Sequence, residues 1–227
     1  MHTPAAPVRG GRFRFQGNHS SMTSIRLIAG LGNPGKQYVK TRHNAGYWWV
    51  DAIASEFGAT WSKEPKMSGE VARVRKGAID LWLLKPTTYM NESGRAVAAM
   101  MNFYRVELGE LLVVHDELDL PPGTVKLKSG GGTGGHNGLN DIAEKMSDKA
   151  FWRLRIGIGH PGHKDLVADY VLNNARREEQ EVIDPAWERS LALLPMLAEG
   201  RLTDAMKWLH TAEKPAAETK PEEKGKQ

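Results

Sequence analysis

"LIAGLGNPGKQY", residues 27–38, decides how the rest of the chain is read. Gly30, Gly32 and Gly35 stand in the G-x-G-x-x-G spacing of a dinucleotide fingerprint, directly behind an apolar run that reads as a strand. That motif turns tightly and aims a helix N-terminus at a pyrophosphate, so the helix must begin inside it. Here a polar stretch, Lys36 to Asn44, follows Gly35, and helical periodicity starts only at Ala45, with Tyr47, Trp48, Val50, Ile53 and Phe57. Pro34 also lacks the N–H that a phosphate would need. The glycines therefore predict a strand-to-loop turn that sets Asn33 at a sheet edge, and a nicotinamide- or flavin-dependent oxidoreductase is disfavoured.

Outward from this turn, strands and helices mix without segregating. Strands are expected at 25–30, 70–75, 79–84, 111–115, 125–128 and 153–158, with Lys76-Gly77 as a hairpin turn. Helices are expected at 45–57, 92–104 (Asn91 or Glu92 at the cap), 139–146, 166–172, 178–197 (broken or kinked at Pro185) and 204–210. Of the adjacent Trp48 and Trp49, at least one belongs to the core. This pattern predicts a single α/β domain over 25–211, a three-layer αβα sandwich with a central mixed, mostly parallel sheet.

The ends differ in composition. Residues 1–24 carry Arg9, Arg12 and Arg14 and no acid, with prolines and a Gly-Gly pair, and 212–227 are Lys, Glu, Pro and Ala without an aromatic. Both read as disordered, an N-terminal arm and a charged C-terminal tail. The formal charge of +4 falls to about +1 once the arm's three arginines are set aside, so any nucleic-acid contact must come from a local patch. No apolar run reaches membrane-spanning length, and a soluble cytoplasmic monomer is expected. The absence of cysteine removes disulfides, thiolate metal sites and cysteine nucleophiles.

Polar groups collect where strands of an open α/β sheet end. Asn33 follows the first strand, His43 precedes the first helix, Asn91 follows "LLKPTTYM", His115-Asp116 ends "LLVV", and Asn137 lies in "SGGGTGGHNG". A neutral histidine oriented by an aspartate is a general base suited to neutral pH, and amides stabilise a developing oxyanion. With no cysteine and no G-x-S-x-G elbow, water is the simplest nucleophile. His43, His115, Asp116, His136, His160 and His163 form no H-x-x-x-H pair or H-E-x-x-H, so neither metal nor other cofactor is expected. Singly, Asp116 fits a turn cap, His43 a loop hydrogen-bonder and Asn91 a helix cap equally well. Six glycines in residues 130–138 suit a backbone brought close to a polymeric or phosphorylated ligand. Beside them Lys126 and Lys128, and Arg153 and Arg155, alternate onto common strand faces, a candidate phosphate clamp that equally fits ordinary solvated strands.

Four stretches together resemble the bacterial-type peptidyl-tRNA hydrolases: "GLGNPGKQYVKTRHNAGY" (30–47), "LLKPTTYMNESGRAV" (83–97), "LLVVHDELDLPPGTVKLKSGGGTGGHNGLNDI" (111–142) and "FWRLRIGIGHPGHKDLVADYVL" (151–172). The resemblance implies hydrolysis of the ester joining a peptide to the 3′ ribose of tRNA, which recycles tRNA from prematurely released peptidyl-tRNA. It implies His43 as base, Asp116 as its orienting carboxylate and Asn33 as the amide positioning water and carbonyl. Asn91 and Asn137 would grip the peptide, Met90 and Tyr38 line the cleft, and Lys128 and Arg155 hold the tRNA 5′ phosphate. Thr133 departs from the histidine or asparagine the family often has in this loop. The alternative is a non-catalytic RNA-binding relative, a use of the same fold found among plant organelle splicing factors.

Overall fold

The apolar run behind the opening turn becomes β1 (Leu27–Gly30), buried along its whole length at the centre of a seven-stranded sheet. The computed structural model describes residues 23–211, so the expected arm up to residue 22 and the tail from 212 lie outside the described residues. The other strands are β2 (Ser62–Glu64), β3 (Gly69–Lys76), β4 (Ile79–Pro86), β5 (Leu111–Glu117), β6 (Val125–Ser129) and β7 (Trp152–Gly157). Their order is β2-β3-β4-β1-β5-β7-β6. Pairing is parallel from β4 through β1 and β5 to β7, and antiparallel at both flanks. The parallel strands read as continuous apolar runs because both of their faces are covered.

Helices lie on both faces. One carries α1 (Ala45–Glu56), α5 (Arg177–Ser190), α6 (Leu194–Ala198) and α7 (Leu202–Thr211), packed on Ile28, Leu112, Val114 and Leu154. The other carries α2 (Ser93–Tyr104) and α3 (Asn137–Met146), packed on Leu27, Ala29, Leu111 and Val113. Alternation along β1 and β5 thus feeds two separate cores. Trp49 is the tryptophan of the pair that is fully buried, and its indole N–H donates to Ser190 Oγ at 2.8 Å, tying α1 to the end of α5. Trp48 is half-buried and donates to Val39 O.

Three local features add to or qualify the sequence reading. β2 was not legible, because its three residues are all exposed and show no alternation. Helix α5 runs through Pro185 without a break, and the expected helix over 178–197 is interrupted instead after Ser190, by the 3₁₀ turn Leu191–Leu193 that leads into α6; the carbonyl that the proline leaves unbonded belongs to Glu181, on the exposed face, where water can satisfy it. Glu92, one of the two residues expected there, holds the N-cap position of α2 without a side-chain hydrogen bond, and Met90–Glu92 form a 3₁₀ turn leading into it.

The opening glycines are explained by space. A Cβ on Gly30 would lie 2.3 Å from Gly46 O, and one on Gly46 would lie 2.3 Å from both Leu31 N and Val114 O. The first turn of α1 therefore sits directly on the backbone of β1 and β5. Gly32 lies under the Tyr47 ring, and only Gly35, at φ 116°, needs a conformation closed to other residues. Two 3₁₀ turns, Lys36–Tyr38 and Arg42–Asn44, fill the stretch before α1, so no helix starts inside the glycine motif.

Candidate active site

The carboxyl ends of β1 and β5 are neighbours in register, Gly30 opposite Val114, and the residues just beyond them converge. Asp116 emerges at the end of β5 and His43 from the 3₁₀ turn before α1, and both are buried. His43 Nδ1 lies 2.9 Å from Asp116 Oδ1 and 3.1 Å from Oδ2. An ionised carboxylate only accepts, so Nδ1 carries the proton and Nε2 is left as the basic nitrogen. Burial alone would raise the Asp116 carboxyl, but the two histidines on it hold it well below the carboxylate range. Burial likewise pulls the His43 imidazole down, and the charge and hydrogen bond of Asp116 outweigh it, so His43 titrates above the usual histidine value.

The second histidine is His136, the residue before α3. Its Nε2 donates to the same Asp116 Oδ1 at 3.0 Å, while its Nδ1 accepts the Gly138 N–H at 3.1 Å and caps the helix. The sequence offered His136 only as one of several possible metal ligands; its place before a helix in a glycine loop was the available signal. His115 is fully buried beside it, its Nδ1 2.6 Å from Asp116 O and its Nε2 without a hydrogen-bond partner. Burial and the nearby His136 push it down to about 3, so it stays neutral. His43, Asp116 and His136 also present ligand atoms within 4.8 Å of one another and could hold a metal ion, which would have to displace the two N–H protons now on Asp116.

Asn33 is buried and tied by two reciprocal bonds to Asn44, the residue after His43: its N–H donates to Asn44 Oδ1 at 2.9 Å and Asn44 Nδ2 donates to Asn33 O at 3.0 Å, though Asn33 is not among the residues lining the cleft over the histidine pair. Its own Oδ1 accepts the Met90 N–H at 2.8 Å, which leaves the Nδ2 end of the amide as the donor. Asn44 is thus a positioning residue the sequence reading passed over. Met90 is buried against Gly138, where a Cβ would come within 2.7 Å of its sulfur, so the glycine loop closes directly over it.

A cleft of about 400 Å³ opens over the histidine pair, lined among others by His43, Asp116, His136, Asn137, Glu117 and the short helix α4 (Val167–Val171). Asn137 begins α3 at its rim. Asn91 is exposed on the turn after Met90, and Tyr38 is half-buried in its own 3₁₀ turn; neither lines this cleft.

The four expected cations share one face, with Lys126 opposite Arg155 and Lys128 opposite Arg153. They divide by environment. Arg155 Nε pairs with Glu117 Oε2 at 2.9 Å, which links it to the cleft rim, and Lys128 is exposed beside Gly131. Arg153 departs from the expectation of a phosphate ligand: it is 2% exposed and donates to Gly132 O and Gly131 O at 2.6 and 2.7 Å. The glycine-rich loop folds over this guanidinium, which braces it from below. Gly130, Gly131, Gly134 and Gly135 all take positive φ, so the loop's path depends on them.

Against this geometry, a peptidyl-tRNA hydrolase family profile matches residues 27–218. The chain belongs to the peptidyl-tRNA hydrolase family. It is 54% identical over 187 residues to the peptidyl-tRNA hydrolase of Nitrosospira multiformis, covering 82% of this chain and 98% of that one. Over 188 residues it is 50% identical to that of Neisseria meningitidis, with 83% and 98% covered. The crystal structure of peptidyl-tRNA hydrolase from Acinetobacter baumannii superposes with a TM-score of 0.81 at 45% identity, covering 85% of this chain and 97% of that one. The αβα fold is therefore that of known peptidyl-tRNA hydrolases. Among the described residues no helix is long and apolar enough to cross a membrane.

Proposed function

We propose that this chain hydrolyses the ester between a peptide, or an N-blocked aminoacyl group, and the 3′ ribose of tRNA, with His43 as general base. The observation that carries the assignment of the base is the His43 Nδ1–Asp116 contact at 2.9 Å, which fixes the tautomer and leaves Nε2 to act. Nε2 takes a proton from water as the water oxygen attacks the ester carbonyl. The resulting oxyanion is met by amide donors, for which Asn33 Nδ2 and Asn137 are the candidates. Collapse breaks the carbonyl carbon to ribose oxygen bond, and the imidazolium returns its proton to the departing 3′ oxygen. Asp116 stabilises the imidazolium between the two steps.

Asn137, at the rim of the cleft, serves the peptide side; Met90, Asn91 and Tyr38 lie outside the cleft lining and have no role in gripping the substrate in this reading. Lys128 and Arg155, with Lys126 beside them, take the tRNA 5′ phosphate, supported by their common face and the link through Glu117. Phosphate contacts position RNA without reading sequence, so many tRNAs are substrates. The enzyme works as a cytoplasmic monomer.

The test is release of labelled acetyl-aminoacyl groups from charged tRNA, wild type beside His43→Ala, with EDTA present. Cleavage by the wild type and a loss of about 10²-fold or more in a folded variant are expected. RNA binding without cleavage by the wild type overturns the hydrolase reading. Loss of activity in EDTA, restored by a divalent ion, overturns the metal-free chemistry.

A further inference from the structure

Arg42, the residue before His43, is 3% exposed, yet it takes no part in the chemistry above. Its Nη1 donates to Tyr170 O at 3.1 Å, Asn173 O at 3.3 Å and Asn174 O at 2.8 Å. Its Nη2 lies 2.5 Å from Glu179 Oε2, and its guanidinium carbon is 3.9 Å from the Tyr170 ring centroid. The backbone repeats the connection, with Arg42 N–H donating to Asn173 O at 3.1 Å and Thr41 bridging Asn174.

These carbonyls end α4 and lead into α5. Helix C-terminal carbonyls lack partners within the helix, and a cation there is favoured by the helix dipole. Val167, Ala168 and Val171 of α4 line the cleft on which His43 opens. One planar guanidinium therefore holds a cleft wall while its own backbone carries the histidine. Arg42 Nε is buried without a hydrogen-bond partner, so its other nitrogens carry all of the side chain's hydrogen bonds.

We propose that Arg42 is a positioning residue that locks the α4 wall to the His43 loop, with Glu179 holding the guanidinium in place. The fork geometry is what matters, since several acceptors around one group require a planar multi-donor cation that lysine does not supply. The inference rests on His43 being the base.

The experiment compares wild type, Arg42→Lys, Glu179→Gln and His43→Ala for kcat and KM on acetyl-aminoacyl-tRNA, and for amide hydrogen exchange over residues 166–176 without substrate. Arg42→Lys is expected to lower kcat by about tenfold, with a smaller change in KM, and to speed exchange in that segment. Glu179→Gln, which keeps the carbonyl contacts, is expected to do both to a lesser degree, and it decides the matter if Arg42→Lys does not fold. Faster exchange with unchanged kcat, or neither change in a folded variant, overturns the positioning role. Wild-type turnover by His43→Ala would instead overturn the assignment of the base, and the exchange result would still report whether Arg42 ties α4 down.

Discussion

His43 and His136 donate to one oxygen of Asp116, at 2.9 and 3.0 Å, with their ring centroids 4.9 Å apart. The two rings are not equivalent. His136 has its other nitrogen occupied as an acceptor of backbone N–H, whereas Nε2 of His43 is the nitrogen the proposed reaction uses. One carboxylate thus orients two imidazoles, and in the proposed reaction the proton gained during turnover goes to His43.

That arrangement sets the pH dependence. His43 must be neutral to act, and its pKa is raised, so kcat/KM should fall to half its plateau at a pH above 6.5 on the acid side. Asp116→Asn removes the raising interactions and leaves burial, so the acid limb should move below 6.5 as the plateau drops by about 10²–10⁴-fold. A pH series of kcat/KM from 5 to 8.5 reads both, and a flat wild-type profile would sink the assignment.

The cation face predicts substrate discrimination. Binding energy from a remote phosphate can be used at the reacting centre, so removing it should penalise whole tRNA and spare fragments. Lys128→Ala with Arg155→Ala should cut kcat/KM for acetyl-aminoacyl-tRNA by about 10²-fold and leave an aminoacyl-adenosine ester within about threefold. Equal losses on both substrates would exclude a phosphate clamp. Arg153→Ala is expected to lower stability as well, because two loop carbonyls lose their donor.

His115 makes the fold sensitive to acid. Its pKa drops from 6.5 unfolded to about 3 folded, so below pH 6.5 the unfolded chain binds a proton that the folded chain refuses. The stability this neutral histidine allows is complete above 6.5 and is lost as pH falls towards 3. Urea unfolding at pH 7, 5.5 and 4.5 should show His115→Leu losing less stability than wild type, by about 1 kcal/mol or more. Parallel pH slopes for the two proteins would contradict the assignment.

Much of the site was legible because its groups stand at strand ends. Asn33, His43 and Asp116 each follow or precede a strongly patterned element, and the sheet brings such ends together whatever the fine packing. What stayed hidden depends on approach through space. Alternation placed Arg153 on the right face but could not show a loop folding over it. Likewise, His136 lies twenty residues beyond the carboxylate it touches, with no periodic pattern linking them. Arg42 read as one more charge in a polar stretch, because its partners lie more than a hundred residues away.

The contact between Gly46 and the backbone of β1 and β5 has a bearing on sequence divergence. Side-chain packing can be rearranged by compensating substitutions, but main chain resting on main chain has no adjustable part. The Nitrosospira multiformis relative differs at nearly half of its aligned positions, 54% being identical. Substitution in the two apolar layers leaves this main-chain stop, which places the start of α1 just after His43, as it is. Where that stop is only the width of a glycine, even one added methyl would be read out directly as a displacement of the residues that follow β1 and β5.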